Sequence, residues 1–151
     1  MPIYKSQKLR RYRSSESGRP YLLTTATLGR LPIFSDLWLG RLLVMQMRDA
    51  HHQGLVPSLA WVIMPDHLHW LVELRVGSLD GLMRQVKSKS TKTVNLRIGR
   101  SGALWQSGFH DRALRREEDL KAVARYIVAN PLRAGLARNI EDYSLWDACW
   151  V

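Results

Sequence analysis

Two histidines separated by one apolar residue lie in the run WVIMPDHLHWLVEL at residues 61–74. Side chains alternate between the two faces of a β-strand, so in a strand His67 and His69 share one face, about 7 Å apart along the chain. Two imidazoles placed in this way can bind one metal ion together. The same spacing also fits a hydrogen-bonded pair, or two surface histidines that form no site, so a second feature is needed to decide.

The residues around the histidines predict how such a site would be supported. Four apolar side chains alternate with the histidines and would face the core: Leu68, Trp70, Val72 and Leu74. A strand that is buried on one face provides a rigid support for ligands on the other face.

The second feature is the segment EEDLKAVARYIVANPLRAGL at residues 117–136. Its apolar residues have the i, i+3, i+4 spacing of a helix with one buried stripe; they are Leu120, Val123, Ala124, Ile127 and Val128. Tyr126 and Asn130 lie one turn apart beside that stripe, so one rigid helix would hold both. Because Asn130 precedes Pro131, we expect the helix to end near this point. Alternatively, Tyr126 is an ordinary interfacial residue and Asn130 only closes the helix.

Together these motifs resemble those of the REP-associated tyrosine transposases, which belong to the wider HUH class of single-strand nucleases. The resemblance extends over nearly the whole chain and rests on GRPYLLTTAT (18–27), PDHLH (65–69), LWQSGFHDRALR (104–115), YIVANPLRAGL (126–136), Tyr143 and Trp146. The chain departs from the family in the tail, where Asp147 and Ala148 stand in place of the usual Ser-Ser pair.

The resemblance implies a role for each of these motifs. It makes His67 and His69 the metal-binding pair, Asn130 the third metal ligand and Tyr126 the nucleophile. The family's middle motif is matched by Trp105, Gln106, His110 and Arg112. The expected cofactor is Mg²⁺ or Mn²⁺, which accept such nitrogen and oxygen ligands. The expected reaction nicks and rejoins single-stranded DNA at REP-like hairpins through a 5′-phosphotyrosine intermediate.

The charge balance favours a nucleic-acid partner. The chain has 23 Lys and Arg against 13 Asp and Glu, a net charge of +10 and a pI of about 10.4, and such a surplus attracts polyanions. No run approaches the roughly 18 apolar residues of a membrane span, and the N-terminus has no apolar signal core. The single Cys149 excludes an internal disulfide. We therefore expect a cytoplasmic, single-domain protein that binds DNA and no membrane.

Candidate DNA contacts fall in three parts of the sequence. Residues 1–19 lack apolar periodicity and predict a basic arm ahead of one domain at 20–151; the basic residues of the arm are Lys5, Lys8, Arg10, Arg11, Arg13 and Arg19. A predicted helix after Ser78 carries Lys87 and Lys89 on an outward face that could guide a phosphate backbone beside the metal. In the middle motif Trp105 and Phe109 could stack unpaired bases, with Gln106 and Arg112 close by. Core packing is the alternative for these two aromatic side chains. Basic faces of this kind are also common as ordinary solvated surfaces.

The order of the predicted elements indicates the fold class. Strands are expected at 20–28, at 58–64 and after Pro65, helices at about 36–53 and from Ser78, and a strand or hairpin at 103–114. The order strand, helix, strand, strand, helix, strand, helix predicts an α+β fold, a ferredoxin-like antiparallel sheet with packed helices.

Two other functions fit parts of this pattern. One is a binding module of the same fold that recognises a DNA or RNA hairpin without cutting it. The other is a metal-dependent hydrolase of small phosphoesters, which leaves the net charge and Tyr126 without a role. The sequence indicates no obligate protein partner, and a monomer carries every expected site residue. It leaves open the DNA sequence recognised, the native metal and the cellular role.

Overall fold

The strands and helices of the computed structural model follow the order expected from the sequence. The structure describes residues 18–115 and 119–150. Its elements are β1 (Pro20–Ala26), α1 (Leu37–His52), β2 (Ser58–Met64), β3 (His67–Glu73), α2 (Leu79–Ile98), β4 (His110–Ala113), α3 (Leu120–Val128), α4 (Asn130–Arg133) and β5 (Trp146–Ala148). Most of the predicted basic arm, residues 1–17, lies outside the described residues.

Within the described residues, the strands form one antiparallel sheet in the order β4-β1-β3-β2-β5. Helix α1 joins β1 to β2 across β3, and helix α2 joins β3 to β4 across β1. These two split βαβ connections define a ferredoxin-like arrangement, and β5 extends the sheet beside β2. The predicted α+β fold with an antiparallel sheet and packed helices is confirmed.

Local sequence signals explain where the two long helices begin and end. The Asp36 carboxylate accepts a hydrogen bond from the backbone N–H of Trp38 at the start of α1 (2.9 Å), and the Ser78 hydroxyl accepts one from Gly81 at the start of α2 (3.0 Å). Both are standard N-caps that satisfy a free N–H of the first turn. Helix α2 ends at Gly99, whose φ of 66° lies in the left-handed region that glycine adopts without strain.

Helices cover both faces of the sheet. Side chains alternate along β3, so successive residues point to opposite faces. Trp70 and its alternate neighbours are buried in the larger core beneath α1 and α2. His67 and His69 lie on the opposite surface, which we call the histidine face. Helix α3 packs on the histidine face through Ala124 and Ile127. The histidines and helix α3, which carries Tyr126, therefore share one side of the sheet.

The C-terminal tail is an integral part of the sheet. Trp146 pairs with Val62 in the β5–β2 ladder, and the Tyr143 hydroxyl donates a hydrogen bond to the Ile63 carbonyl (2.6 Å). Leu145 packs against Gly40 so closely that a Cβ on that glycine would lie 2.3 Å from Leu145 Cδ1. The tail thus links β2 to α1.

Candidate active site

The two histidines adopt the arrangement expected from their spacing. Their ring centroids are 4.9 Å apart and their planes are nearly perpendicular, at 88°. In the antiparallel register His69 lies opposite Thr24 of β1 and Val62 of β2, so neighbouring strands enclose it. His67 begins the strand and is more accessible from the turn formed by Pro65 and Asp66.

Each imidazole is held through the same ring nitrogen by a different neighbour. Nδ1 of His67 donates to the Asp66 carboxylate (2.7 Å), and Nδ1 of His69 is hydrogen bonded to the Thr24 hydroxyl (3.0 Å). When Nδ1 carries the proton, Nε2 has the free lone pair that a metal ion requires. Both rings can therefore present Nε2 to a shared ligand.

The electrostatic surroundings keep this pair suited to binding a metal. Burial lowers the pKa of His69 to about 4, and the charges of His67 and Arg133 act in the same direction. His69 is therefore neutral near pH 7, which is the form that binds a metal.

The Asp66 carboxylate is ionised beside His67. Burial would raise its pKa, but hydrogen bonds from His67 and Arg30, together with their charges, hold it below the ordinary value. Arg30 Nε lies 2.9 Å from the second carboxylate oxygen. Arg30 has a φ of 55°, a left-handed conformation that is uncommon for residues other than glycine. The resulting chain Arg30–Asp66–His67 fixes the orientation of the first histidine.

Tyr126 projects from helix α3 into solvent, and 66% of its surface is exposed. Its ring lies beneath the Arg133 guanidinium, whose central carbon is 3.9 Å from the ring centroid. Arg133 Nη2 also donates to the Tyr126 carbonyl (2.6 Å). Because the charge of Arg133 also acts on His69, this arginine links the tyrosine to the histidine pair.

The expectation that one rigid helix holds both Tyr126 and Asn130 is wrong. Helix α3 ends at Val128, and Asn130 begins the short helix α4. The reason is Pro131, which has no N–H to bond to the Ile127 carbonyl. The side-chain amide of Asn130 donates to that carbonyl instead (2.9 Å). Its Oδ1 accepts no hydrogen bond within the described residues, so it is available as an oxygen ligand.

Three residues of the middle motif lie beside the histidine face. His110 and Arg112 of β4 are opposite Thr24 and Leu22 in the register of β1. His110, Gln106 and Arg30 line a small groove of about 100 Å³ next to Thr24. The structure thus places three residues of the middle motif on the side of Thr24, the residue that bonds to His69.

Trp105 does not have the position expected for a base-stacking residue. It is only 6% exposed, and its indole N–H donates to the Ser90 hydroxyl (3.0 Å). Its ring centroid is 5.4 Å from that of Phe34 in the core beneath α1 and α2. A single bridge to Thr27 holds the backbone here, and the predicted strand or hairpin at 103–114 is reduced to β4.

Two further expectations about basic residues are corrected. Helix α2 covers the face opposite the histidines, so Lys87 and Lys89 do not lie beside them. Lys87 Nζ instead donates to the carbonyls of Gln106 and Gly108. Arg19 is bound to the sheet through its Nε and the Leu114 carbonyl (3.4 Å), so it is not part of a separate arm. The remaining arm residues lie outside the described residues; they are Lys5, Lys8, Arg10, Arg11 and Arg13.

The sequence analysis missed the residues that orient the site. Asp66 could have been noticed, because a carboxylate directly beside a metal-binding histidine commonly fixes its tautomer. Arg133 lies within the YIVANPLRAGL motif, but its contact with Tyr126 depends on the break before α4. Nothing in the sequence pointed to Thr24 or Arg30, because strand register brings Thr24 to His69 and the turn after β1 brings Arg30 to Asp66.

Among the described residues, none of the helices has the length and apolar character of a membrane span.

Comparisons with known proteins agree with these features. A family described as "Transposase IS200 like" matches residues 24–130. A REP-associated tyrosine transposase of Escherichia coli K12 is 29% identical over 86 residues, which are 56% of this chain and 49% of that protein. The matched part of this chain thus spans about half the length of that relative.

Two solved structures show the same fold. One is a REP-associated tyrosine transposase bound to a REP hairpin, with a TM-score of 0.69, 22% identity, and coverage of 89% of this chain and 79% of that one. The other is a crystal structure described as a candidate transposase of Deinococcus radiodurans, with a TM-score of 0.53, 19% identity, and coverage of 88% and 96%. Because the family match covers more than half of the chain and includes both histidines, Tyr126 and Asn130, the chain belongs to the IS200-like transposase family.

Proposed function

We propose that this protein is a metal-dependent tyrosine endonuclease and strand transferase that nicks and rejoins single-stranded DNA at hairpin sequences. The observation that carries the proposal is the placement of an exposed tyrosine, Tyr126, on the same sheet face as two histidines that can both present Nε2. A nucleophile beside a metal-binding pair is the minimum that phosphodiester cleavage through tyrosine requires.

The proposed substrate rests on charge and on the relatives. The net charge of +10 attracts polyanions. Arg30 is bonded to Asp66 beside His67, and Arg112 lies opposite Leu22 on the histidine face. The Escherichia coli relative is named for its association with REP sequences, and the structural neighbour is bound to a REP hairpin. A small phosphoester would use none of this basic surface.

The proposed cleavage step uses Tyr126 as the nucleophile. A phenol is largely protonated at neutral pH, so the hydroxyl must lose its proton as its oxygen attacks the phosphorus. The new bond joins Tyr126 Oη to the 5′ phosphate, the bond between phosphorus and the 3′ oxygen breaks, and that oxygen leaves as a hydroxyl once protonated. The covalent link keeps the energy of the broken ester, so attack by another 3′ hydroxyl reverses the step and rejoins DNA without ATP.

The donor set fits a divalent ion. Nε2 of His67, Nε2 of His69 and Oδ1 of Asn130 would hold it, and the amide of Asn130 is already oriented by its bond to the Ile127 carbonyl. When bound, the ion would polarise the scissile phosphate and offset its developing charge. Mg²⁺ or Mn²⁺ remains our prediction, as do the cytoplasmic location and the sufficiency of a monomer.

The test is incubation of the purified protein with 5′-labelled single-stranded hairpin DNA from around its own gene, with Mn²⁺ or with EDTA. We expect a nicked product with Mn²⁺ that is absent with EDTA and absent from Tyr126→Phe. Tyr143→Phe is the matched control, because it removes a phenol oxygen that only bonds to the Ile63 carbonyl. Tight hairpin binding with no nicking under any condition would contradict the proposal and favour a binding module that does not cut.

A further inference from the structure

One residue outside the expected catalytic set contacts the nucleophile directly. Arg133 Nη2 donates to the Tyr126 carbonyl (2.6 Å), and the same guanidinium covers the Tyr126 ring at 3.9 Å. In the part of the chain that the structure describes, no other residue makes a ring contact with Tyr126, and the Tyr126 hydroxyl makes no hydrogen bond. The tyrosine otherwise projects freely, since 66% of its surface is exposed.

A simpler role for Arg133 is to neutralise the C-terminal end of α3. Cations near a helix C-terminus bond to its free carbonyls and interact favourably with the helix dipole. That role needs one donor and one positive charge, which a lysine also supplies. It does not account for the position of the guanidinium over the ring at 3.9 Å, a cation–π contact that arginine makes more often than lysine.

The break between the helices places this guanidinium. Pro131 ends the hydrogen bonding of α3, and the chain turns into α4, whose last residue is Arg133. Seven residues after Tyr126, the side chain of Arg133 reaches back over the tyrosine. The same turn places Asn130, so a single break in the helix orients both a proposed metal ligand and the proposed nucleophile.

We propose that Arg133 is a positioning residue that holds the Tyr126 ring in the orientation required for attack on the scissile phosphate. The role rests on the proposed function. A side chain free to rotate about two bonds spends little time in line with phosphorus, and poor alignment alone can slow a reaction by about tenfold to hundredfold. A ring that is held by the guanidinium, on a backbone that is bonded to the same arginine, avoids this loss.

The contact can be measured without any reaction. The full-length protein is labelled with 3-fluorotyrosine, and the Tyr126 signal in its ¹⁹F NMR spectrum is assigned from Tyr126→Phe. We expect Arg133→Gln and Arg133→Lys to move this signal towards the position of free fluorotyrosine. Arg125→Gln is the matched control, because it removes one exposed charge from α3, the helix that carries Tyr126. A signal that moves no further in the Arg133 variants than in the control would overturn the proposal.

The catalytic consequence is measured as single-turnover nicking at saturating protein with Mn²⁺. We expect both Arg133 variants to cut about tenfold or more slowly than Arg125→Gln, with hairpin affinity and melting temperature equal to those of the control. Nicking by Arg133→Lys at the wild-type rate would overturn the positioning role, since charge alone would then suffice. Equal slowing in Arg125→Gln would overturn it as well.

These results separate the two proposals. If the wild-type protein cuts no DNA, the proposed function fails and the role of Arg133 in cleavage fails with it, whatever the ¹⁹F signal shows. If the wild-type protein cuts and the Arg133 variants cut equally well, only the positioning role fails.

Discussion

The histidines of the site are oriented by unrelated parts of the chain. Asp66 is the immediate neighbour of His67, whereas Thr24 reaches His69 from β1 through the strand register. Because both use Nδ1, the two rings can turn the same nitrogen outward. The alternation of a β-strand predicted the shared face correctly. It could not predict which nitrogen of His69 is held, because that depends on Thr24, a partner distant in sequence.

At this scale we predict that His67→Ala or His69→Ala abolishes nicking while leaving most of the hairpin affinity intact. Each change removes one nitrogen ligand, whereas phosphate contacts elsewhere supply the binding energy. The measurement is nicking and fluorescence anisotropy on the same protein samples, with His52→Ala, on the exposed surface of α1, as control. Nicking at the wild-type rate by either variant, or by wild type in EDTA, would show that the histidines do not bind an essential metal.

Asp66→Asn tests the support of the metal site. Asparagine keeps the size of the side chain but loses the charge that pairs with Arg30 and His67, and changes in such outer partners typically cost about 10-fold to 100-fold in metal affinity. We expect nicking to require correspondingly more Mn²⁺ and to recover at high Mn²⁺. An unchanged Mn²⁺ dependence would mean that Asp66 plays no part in orienting the ligand.

At the scale of the elements, the end of α3 shows where local sequence rules stop. The helix that carries Tyr126 was correctly expected to end near Pro131. The rules did not predict that the chain would continue into α4, with Asn130 bonding to the Ile127 carbonyl. That outcome depends on packing against β2, which no pattern within the segment records.

The position of Trp105 could not be read from its surroundings. The sequence predicted a strand or hairpin at 103–114, but the strand begins only at His110 and Trp105 forms an isolated bridge to Thr27. Strand alternation therefore could not indicate which way the indole points. Ser90 on α2 and Phe34 before α1 provide its pocket. Both are distant in sequence.

We therefore predict that Trp105→Ala lowers the free energy of unfolding by about 3–5 kcal/mol, as for other large-to-small changes in a core. Urea denaturation measures this change. Trp38→Ala is the matched control, because Trp38 is 66% exposed, and it should change the free energy by about 0.5 kcal/mol or less. If Trp105→Ala were as stable as wild type but bound hairpin DNA poorly, the indole would be a DNA contact after all.

At the scale of the whole molecule, the sheet separates the larger hydrophobic core from the candidate active site. Helices α1 and α2 and the larger core lie on one side, and the histidine face with α3 and the arginines lies on the other. The sequence predicted this architecture because its strands and helices are marked by clear periodicity and caps. The sequence analysis wrongly placed Lys87 and Lys89 near the metal. Their helix follows the histidine strand along the chain, but proximity in sequence does not show which face of the sheet a helix covers.

The basic arm makes a prediction about affinity. Deleting residues 1–13 removes Lys5, Lys8, Arg10, Arg11 and Arg13. We expect weaker hairpin binding and a salt dependence that is shallower by about one unit of slope for each lost phosphate contact. Anisotropy titrations over a range of salt concentrations measure both quantities. The same affinity and the same slope in the truncated protein would show that the arm makes no DNA contact.

The central claim is that Tyr126 forms a covalent bond with DNA. The most direct measurement is peptide mass spectrometry of the wild-type protein after reaction with single-stranded hairpin DNA and Mn²⁺, followed by nuclease digestion of the bound strand. We predict a nucleotide adduct on the peptide that contains Tyr126, and none when Tyr126→Phe is treated in the same way. An adduct on any other residue, or efficient nicking by Tyr126→Phe, would contradict the account.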